Sequence, residues 1–177
     1  MRLAFDDRLI RTTHFDGEMS LLADRHYSRR SLPDRILVDL ELHRTVGAQQ
    51  FLYSGRKLVL RNAEGTVLFG WIWPHDDKRM DGQTGYNCAI FRNESRRRAS
   101  DIILEAEQAA FAKWGPNRLY TYIDPAKTAV IKCHGERIVG FSFRKAGWKP
   151  LIHKNGKPHL SKAGQWLFVK PYHGRHA

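Results

Sequence analysis

The chain has 177 residues, 42% of them hydrophobic, and a formal charge of +12 from 30 Lys and Arg against 18 Asp and Glu. That length suits one domain able to bury about two-thirds of its unfolded surface, and no apolar run approaches the roughly 20 residues that cross a bilayer. The N-terminal MRLAFDDRLIRTTHFD carries acids early and lacks an apolar signal-peptide core, so a globular cytoplasmic protein with no membrane partner is expected.

Residues 16–27, DGEMSLLADRHY, place Met19, Leu22, Ala23 and His26 at helical spacing behind Asp16, a suitable N-cap. DRILVDLELHR, residues 34–44, reads as a short helix, with a strand as the alternative. Residues 57–73 read as two strands joined by a tight turn at Asn62-Ala63-Glu64-Gly65, followed by a polar loop over 75–83. A strand is expected over 85–91. The clearest helix spans 100–114, where Ile103, Ala106, Ala110 and Trp114 form one apolar face and Gly115-Pro116 stops it. A strand over 119–123 ends at Asp124-Pro125, and a short helix fills 140–147. Two last strands, 149–153 and 165–169, are expected to be joined at Asn155-Gly156. The order predicts an α/β (α+β) domain of residues 1–177 with one central mixed, mostly antiparallel sheet flanked by helices.

Charge is distributed unevenly. After Glu136 no acid remains, while nine cations follow, among them Lys149, Lys154, Lys157 and Lys162, interleaved with Trp148, Trp166, Phe168 and Tyr172. Cations beside aromatic rings suit a polyanion whose phosphates pair with the charges and whose bases stack, so double-stranded DNA is the expected partner. A generally basic protein kept in solution by its charge is the alternative. Cys88 and Cys133 are too few for a disulfide framework, and without CxxC or HxxxH spacing no metal site is expected.

Three segments together resemble the GNAT superfamily of acetyl-CoA-dependent N-acetyltransferases. A strand ending at Ile90-Phe91-Arg92-Asn93-Glu94 leads through Ser95-Arg96-Arg97-Arg98-Ala99-Ser100 into the long helix. A second strand follows that helix, and Phe141-Ser142-Phe143-Arg144-Lys145-Ala146-Gly147-Trp148 is similar to the family's final motif. Within the superfamily the chain looks most like the Mom-type DNA-modification proteins of bacteriophages. His26-Tyr27-Ser28, Gln50-Phe51, Gly55-Arg56-Lys57-Leu58-Val59-Leu60, Ile90-Phe91-Arg92-Asn93-Glu94, Thr121-Tyr122-Ile123-Asp124-Pro125 and Phe143–Trp148 carry that likeness in order. DRILVDLELHR is an insertion relative to the pattern. Ala99 also stands in a loop where the superfamily usually has glycines.

The resemblance implies a GNAT-like domain that binds acetyl-CoA or another CoA thioester through Phe91, Arg92, Arg96, Arg97, Arg98, Ala99 and Ser100. A helix N-terminus with added arginines suits a pyrophosphate, though a basic turn touching DNA phosphate is an alternative. It implies transfer of an acyl-derived group to an exocyclic base amine, adenine N6 foremost, protecting DNA from restriction. The other options are acetylation of a protein or small amine, and a non-catalytic DNA-binding module on a GNAT-like scaffold. His26 is then a candidate proton acceptor, and Tyr27 orients or stacks on the acceptor. Asp124 at a strand end is a candidate hydrogen-bond acceptor or base, and Glu94 is its rival. Ser142 or Tyr122 is placed to protonate the leaving thiolate. Arg29 and Arg30 are assigned to a nucleic-acid phosphate. Asp124 before proline also fits an ordinary turn, Glu94 an arginine pair, and His26 a helix end.

Overall fold

The computed structural model describes residues 7–26, 51–75, 81–128, 131–133 and 135–172. The expected element over 34–44, and Tyr27, Arg29 and Arg30, lie outside the described residues. Asp16 caps the first helix, α1 (Gly17–Asp24), by accepting the Met19 amide at 3.2 Å. Its second carboxylate oxygen accepts Thr12 Oγ1 at 2.6 Å and pairs with Arg61 at 3.1 Å. One cap thus ties the short strand β1 (Ile10–Thr12) and the strand β2 (Arg56–Arg61) to the helix. The helix stops at Asp24, short of the expected residue 27, and His26 follows it in a bend.

β2 and β3 (Val67–Trp73) pair antiparallel across the expected turn. Asn62 organises that turn: its Oδ1 accepts the amides of Thr66 and Val67, both at 2.9 Å, and the residue is fully buried. Next come β4 (Tyr86–Asn93), the long helix α2 (Ala99–Trp114) and β5 (Leu119–Ile123). A small hairpin of β6 (Ile131–Cys133) and β7 (Glu136–Ile138) precedes α3 (Phe141–Lys145), β8 (Lys149–Pro150) and β9 (Trp166–Lys170). The main sheet has seven strands in the order β1-β2-β3-β4-β5-β9-β8, and only β4 and β5 run parallel. The fold is therefore the expected α/β (α+β) arrangement around a mostly antiparallel sheet.

The sheet is covered on both faces. Leu58, Leu60, Phe69 and Trp71 pack with Ile102, Ile103, Ala106 and Ala110 of α2. Met19, Leu22 and Ala23 of α1, with Phe51 and Leu52, cover Val59, Leu68, Ile72 and Ile90 on the other face. β3 lies between two layers, which is why VLFGWIW is apolar without alternation.

Behind α2, Trp148 stacks on Trp71 at 6.2 Å and donates to Glu107 at 2.6 Å. Glu107 is buried and also pairs with Lys170 at 2.5 Å. Burial pushes the Glu107 carboxyl up; its bonds from Lys170 and Trp148 pull the other way. This network fastens the C-terminal strands to the helix.

The last strands differ from expectation. β8 and β9 do pair, but the Asn155-Gly156 turn closes a smaller excursion in which Ile152 bridges Pro158 and Leu160 bridges Trp166. Leu151 donates to the Leu167 carbonyl and accepts the His159 amide, both at 2.8 Å, while Leu167 donates to the His159 carbonyl at 2.9 Å. Three short segments close on one another, so the chain folds back twice between 150 and 166. Neither β1 nor the β6–β7 hairpin was expected; at three residues each, they carry too little periodicity to read.

Candidate functional site

β4 and β5 hold together over three pairs only, Tyr86 with Leu119, Asn87 with Tyr120 and Cys88 with Thr121. The next residue explains the parting. On β3, Gly70 faces Ile90 and Trp71 faces Cys88, so Ala89 is an extra residue that bends β4. Thr121 Oγ1 donates to the Cys88 carbonyl at 2.8 Å and marks the fork. Beyond it the strands leave a cleft of about 310 Å³, within the range of small-molecule sites, with His26, Phe91, Arg92, Tyr122, Thr128 and Ser142 in its walls.

His26 reaches this cleft because the end of α1 is clamped to the end of β4. Glu94 accepts Arg25 at 3.0 and 2.8 Å and Arg92 at 3.0 Å, and Arg92 also donates to the Arg25 carbonyl at 2.9 Å. His26 is 9% exposed. Burial, with the Arg92 guanidinium adding to it, lowers its pKa to about 4, against a bond to the Phe91 backbone that favours the proton. The imidazole is therefore neutral at pH 7.

Tyr122 stands on the β5 side and donates to Asp81 Oδ2 at 3.1 Å. Burial, then the Asp81 carboxylate, holds its phenol well above the usual range, so it keeps its proton. Ser142, in the first turn of α3, completes the facing wall. Gly140 turns the chain into α3 with φ 67°, where an added Cβ would lie 2.7 Å from Phe168 and 2.9 Å from Ile123.

Other expected site residues have different settings. Asp124 folds back on its own turn: Oδ1 accepts the Ala126 amide at 2.8 Å, and its carbonyl accepts Thr128 Oγ1 at 3.0 Å. The turn's Lys127 and Thr128, not Asp124, line the cleft. Glu94 has both oxygens engaged, and Arg25 first, with Arg92, holds its carboxyl below the ordinary range, which makes it a poor proton acceptor. It belongs to the clamp.

The arginine loop divides. Asn93 accepts the Ser95 amide at 3.0 Å and donates to the Arg97 carbonyl at 2.9 Å, which shapes the turn into Ala99 and Ser100 at the start of α2. Arg97 is engaged within the protein: it pairs with Glu105 at 2.6 Å and donates to the Asp7 carbonyl at 2.5 Å. Arg96 and Arg98 are exposed beside the helix N-terminus.

In the C-terminal segment Lys149, Lys154, Lys157 and Lys162 are exposed as expected. The interleaved rings divide: Trp148 and Phe168 are 1% and 0% exposed, so they are core and offer a base nothing to stack on, whereas Trp166 is half-buried and Tyr172 is 49% exposed. Trp71 is likewise core, and Trp73 is covered by the Arg56 guanidinium at 4.8 Å.

Three residues near the cleft escaped sequence reasoning. Arg25 belongs to the clamp with Glu94 and Arg92, and Asn87 and Tyr53 meet through a hydrogen bond between Asn87 Nδ2 and the tyrosine hydroxyl, while Asn87 Oδ1 is buried without a partner. Nothing local signals contacts across 69 and 34 residues. Among the described residues no group of three or more His, Cys, Asp or Glu is placed to hold a metal, and no helix is long and apolar enough to cross a membrane.

Fold and site together define an α/β protein whose seven-stranded sheet opens, between its two parallel strands, into a cleft with both polar and apolar walls. Compared with protein-family models, with curated proteins and with solved structures, the chain matches none.

Proposed function

We propose that the protein is a GNAT-like, CoA-thioester-dependent transferase that modifies an exocyclic amine of a DNA base, adenine N6 foremost, as the Mom-type proteins do against restriction. One observation carries the reading: the bulged fork of β4 and β5 holds a neutral imidazole, His26, in a cleft also walled by the hydroxyl-bearing Tyr122 and Ser142.

The residues fit a CoA thioester. Beyond Cys88, β4 has no strand beside it on its β5 side among the described residues, so its amides can take an extended pantetheine arm. The first turn of α2 offers N–H groups and the positive end of the helix dipole, flanked by exposed Arg96 and Arg98, to a pyrophosphate. Acetyl-CoA or a related thioester would supply an activated acyl carbon with a good leaving group.

His26 accepts the amine's proton through one ring nitrogen while the other bonds the Phe91 carbonyl. A pKa of about 4 makes it a weak base. An aliphatic amine is protonated at neutral pH and needs a stronger one. A base's exocyclic amine is already neutral, and its nitrogen turns acidic as it forms the new bond, so a weak acceptor suffices. Tyr122 or Ser142 returns a proton to the departing sulfur. A duplex base must first be extruded, at a few kcal/mol, and the exposed lysines of 149–162 hold the DNA meanwhile.

The burial of Trp148 and Phe168 favours a second reading, transfer to an amine of a protein or small molecule, because it takes two of the four C-terminal rings away from an extruded base.

Mass spectrometry of nucleosides from DNA of cells expressing the protein decides between them. A new nucleoside that is lost with His26→Ala and reduced with Tyr122→Phe is expected, and its added mass names the group. Unmodified DNA, with folded protein that turns over acetyl-CoA on amines, would establish the second reading.

A further inference from the structure

β1 pairs with β2 only from Val59 to Arg61, while β2 runs back to Arg56. The chain turns away at Thr13, so the edge of β2 at Lys57 and Leu58 lies open beneath a second cleft of about 290 Å³. Arg11, Thr13, His14, Phe15, Lys57 and Lys113 are in its walls, and among the described residues no carboxylate is. It is remote from the first cleft: Lys57 pairs with Ile72 at one end of β3, whereas Asn93 at the other fork end pairs with Val67.

Cations converge here without counter-charge among the described residues. Lys113 reaches over from the end of α2 and donates to the Lys57 carbonyl at 2.8 Å, which uses one of its three ammonium protons. The Arg11 side chain is exposed and makes no hydrogen bond or ion pair among the described residues. Burial and the neighbouring Arg11 both lower the Lys113 pKa, so its charge is held at a cost an anion would relieve, while burial and Lys57 lower that of His14 and favour its neutral ring. At the rim, His14 lies 4.0 Å from Phe15, whose ring is 55% exposed. A large apolar ring left in water beside three cations suits the base of a nucleotide next to its phosphate.

We propose that this cleft binds a nucleotide unit, free or within a single polynucleotide strand. Its phosphate lies between Arg11, Lys57 and Lys113, and its base lies on the His14–Phe15 rim. The site does not depend on the transferase reading, since it shares no residue with the first cleft.

The test is NMR of side-chain-labelled protein, following the His14 and Phe15 rings during titration with inorganic phosphate, AMP and a short single-stranded oligonucleotide. AMP is expected to shift both rings. The Arg11→Ala/Lys113→Ala double variant is expected to bind at least about tenfold more weakly, as loss of charge-assisted contacts predicts. Phe15→Ala is expected to weaken AMP by about tenfold and leave phosphate unchanged. Tighter binding of the oligonucleotide assigns a strand; tighter binding of AMP assigns a free nucleotide. Rings undisturbed at millimolar phosphate and AMP, or a double variant that binds like the parent with a native spectrum, would overturn the proposal.

Discussion

His26 shows how much one side chain's surroundings decide. Its ordinary pKa of 6.5 falls to about 4 because the clamp of Arg25, Glu94 and Arg92 closes over it and Arg92 sits beside it. The folded protein therefore binds fewer protons at this residue than the unfolded chain between these two values. Stability from His26 is complete above pH 6.5 and is lost as pH falls through about 4. Between pH 7.5 and 4.5 the loss is about 2–3 kcal/mol. His26→Gln, which cannot ionise and can still donate to Phe91, should flatten this part of the curve. Urea midpoints at the two pH values, parent against variant, measure it; equal slopes would refute the assigned environment. The residue was legible as a candidate in the sequence, but its weakness as a base was not, since that follows from burial against β4 and from Arg92 on that strand.

At the scale of elements, the long helix and the β2–β3 hairpin were readable because each carries its own signals. Helical spacing with a Gly-Pro stop marks one, and an Asn-to-Gly turn between apolar runs marks the other. The fork between β4 and β5 was not, because a bulge at Ala89 exists only relative to β3. The entry to α3 combines two constraints at Gly140, a left-handed φ and no space for a Cβ against Phe168 and Ile123. Gly164 has a similar φ of 76° but nothing within 4 Å. Gly164→Ala should cost about 1 kcal/mol for the backbone alone. Gly140→Ala should cost about 2 kcal/mol or more, as overpacking adds to strain. Denaturant unfolding of the two variants gives the comparison, and equal losses would show that the wall of the cleft yields.

For the whole molecule the charge of +12 is the dominant fact, and its distribution matters more than its size. Lys170 and Arg97 are consumed by Glu107 and Glu105, whereas Lys149, Lys154, Lys157 and Lys162 remain exposed on the C-terminal excursion. If these four meet DNA phosphate, replacing all of them with alanine should lower the slope of log affinity against log salt by about 3–4, without altering sequence preference. Fluorescence-anisotropy titrations over a range of salt concentrations measure that slope, and an unchanged slope would move the DNA surface elsewhere.

Composition, apolar periodicity and turn residues by themselves determined the order of the main elements, the mixed sheet and the basic C-terminal stretch, because these depend on neighbours a few positions apart. Tertiary structure alone decided which polar groups share a cleft. It turned Asp124 into a turn cap and Glu94 into a clamp, and it buried Trp148 and Phe168 in the core. It also gathered Arg11, Lys57 and Lys113 around an open strand edge. Those outcomes depend on register, on a one-residue bulge and on charges that meet only after the sheet has formed. No local pattern encodes such contacts, because the physics that sets them acts between residues far apart in the chain.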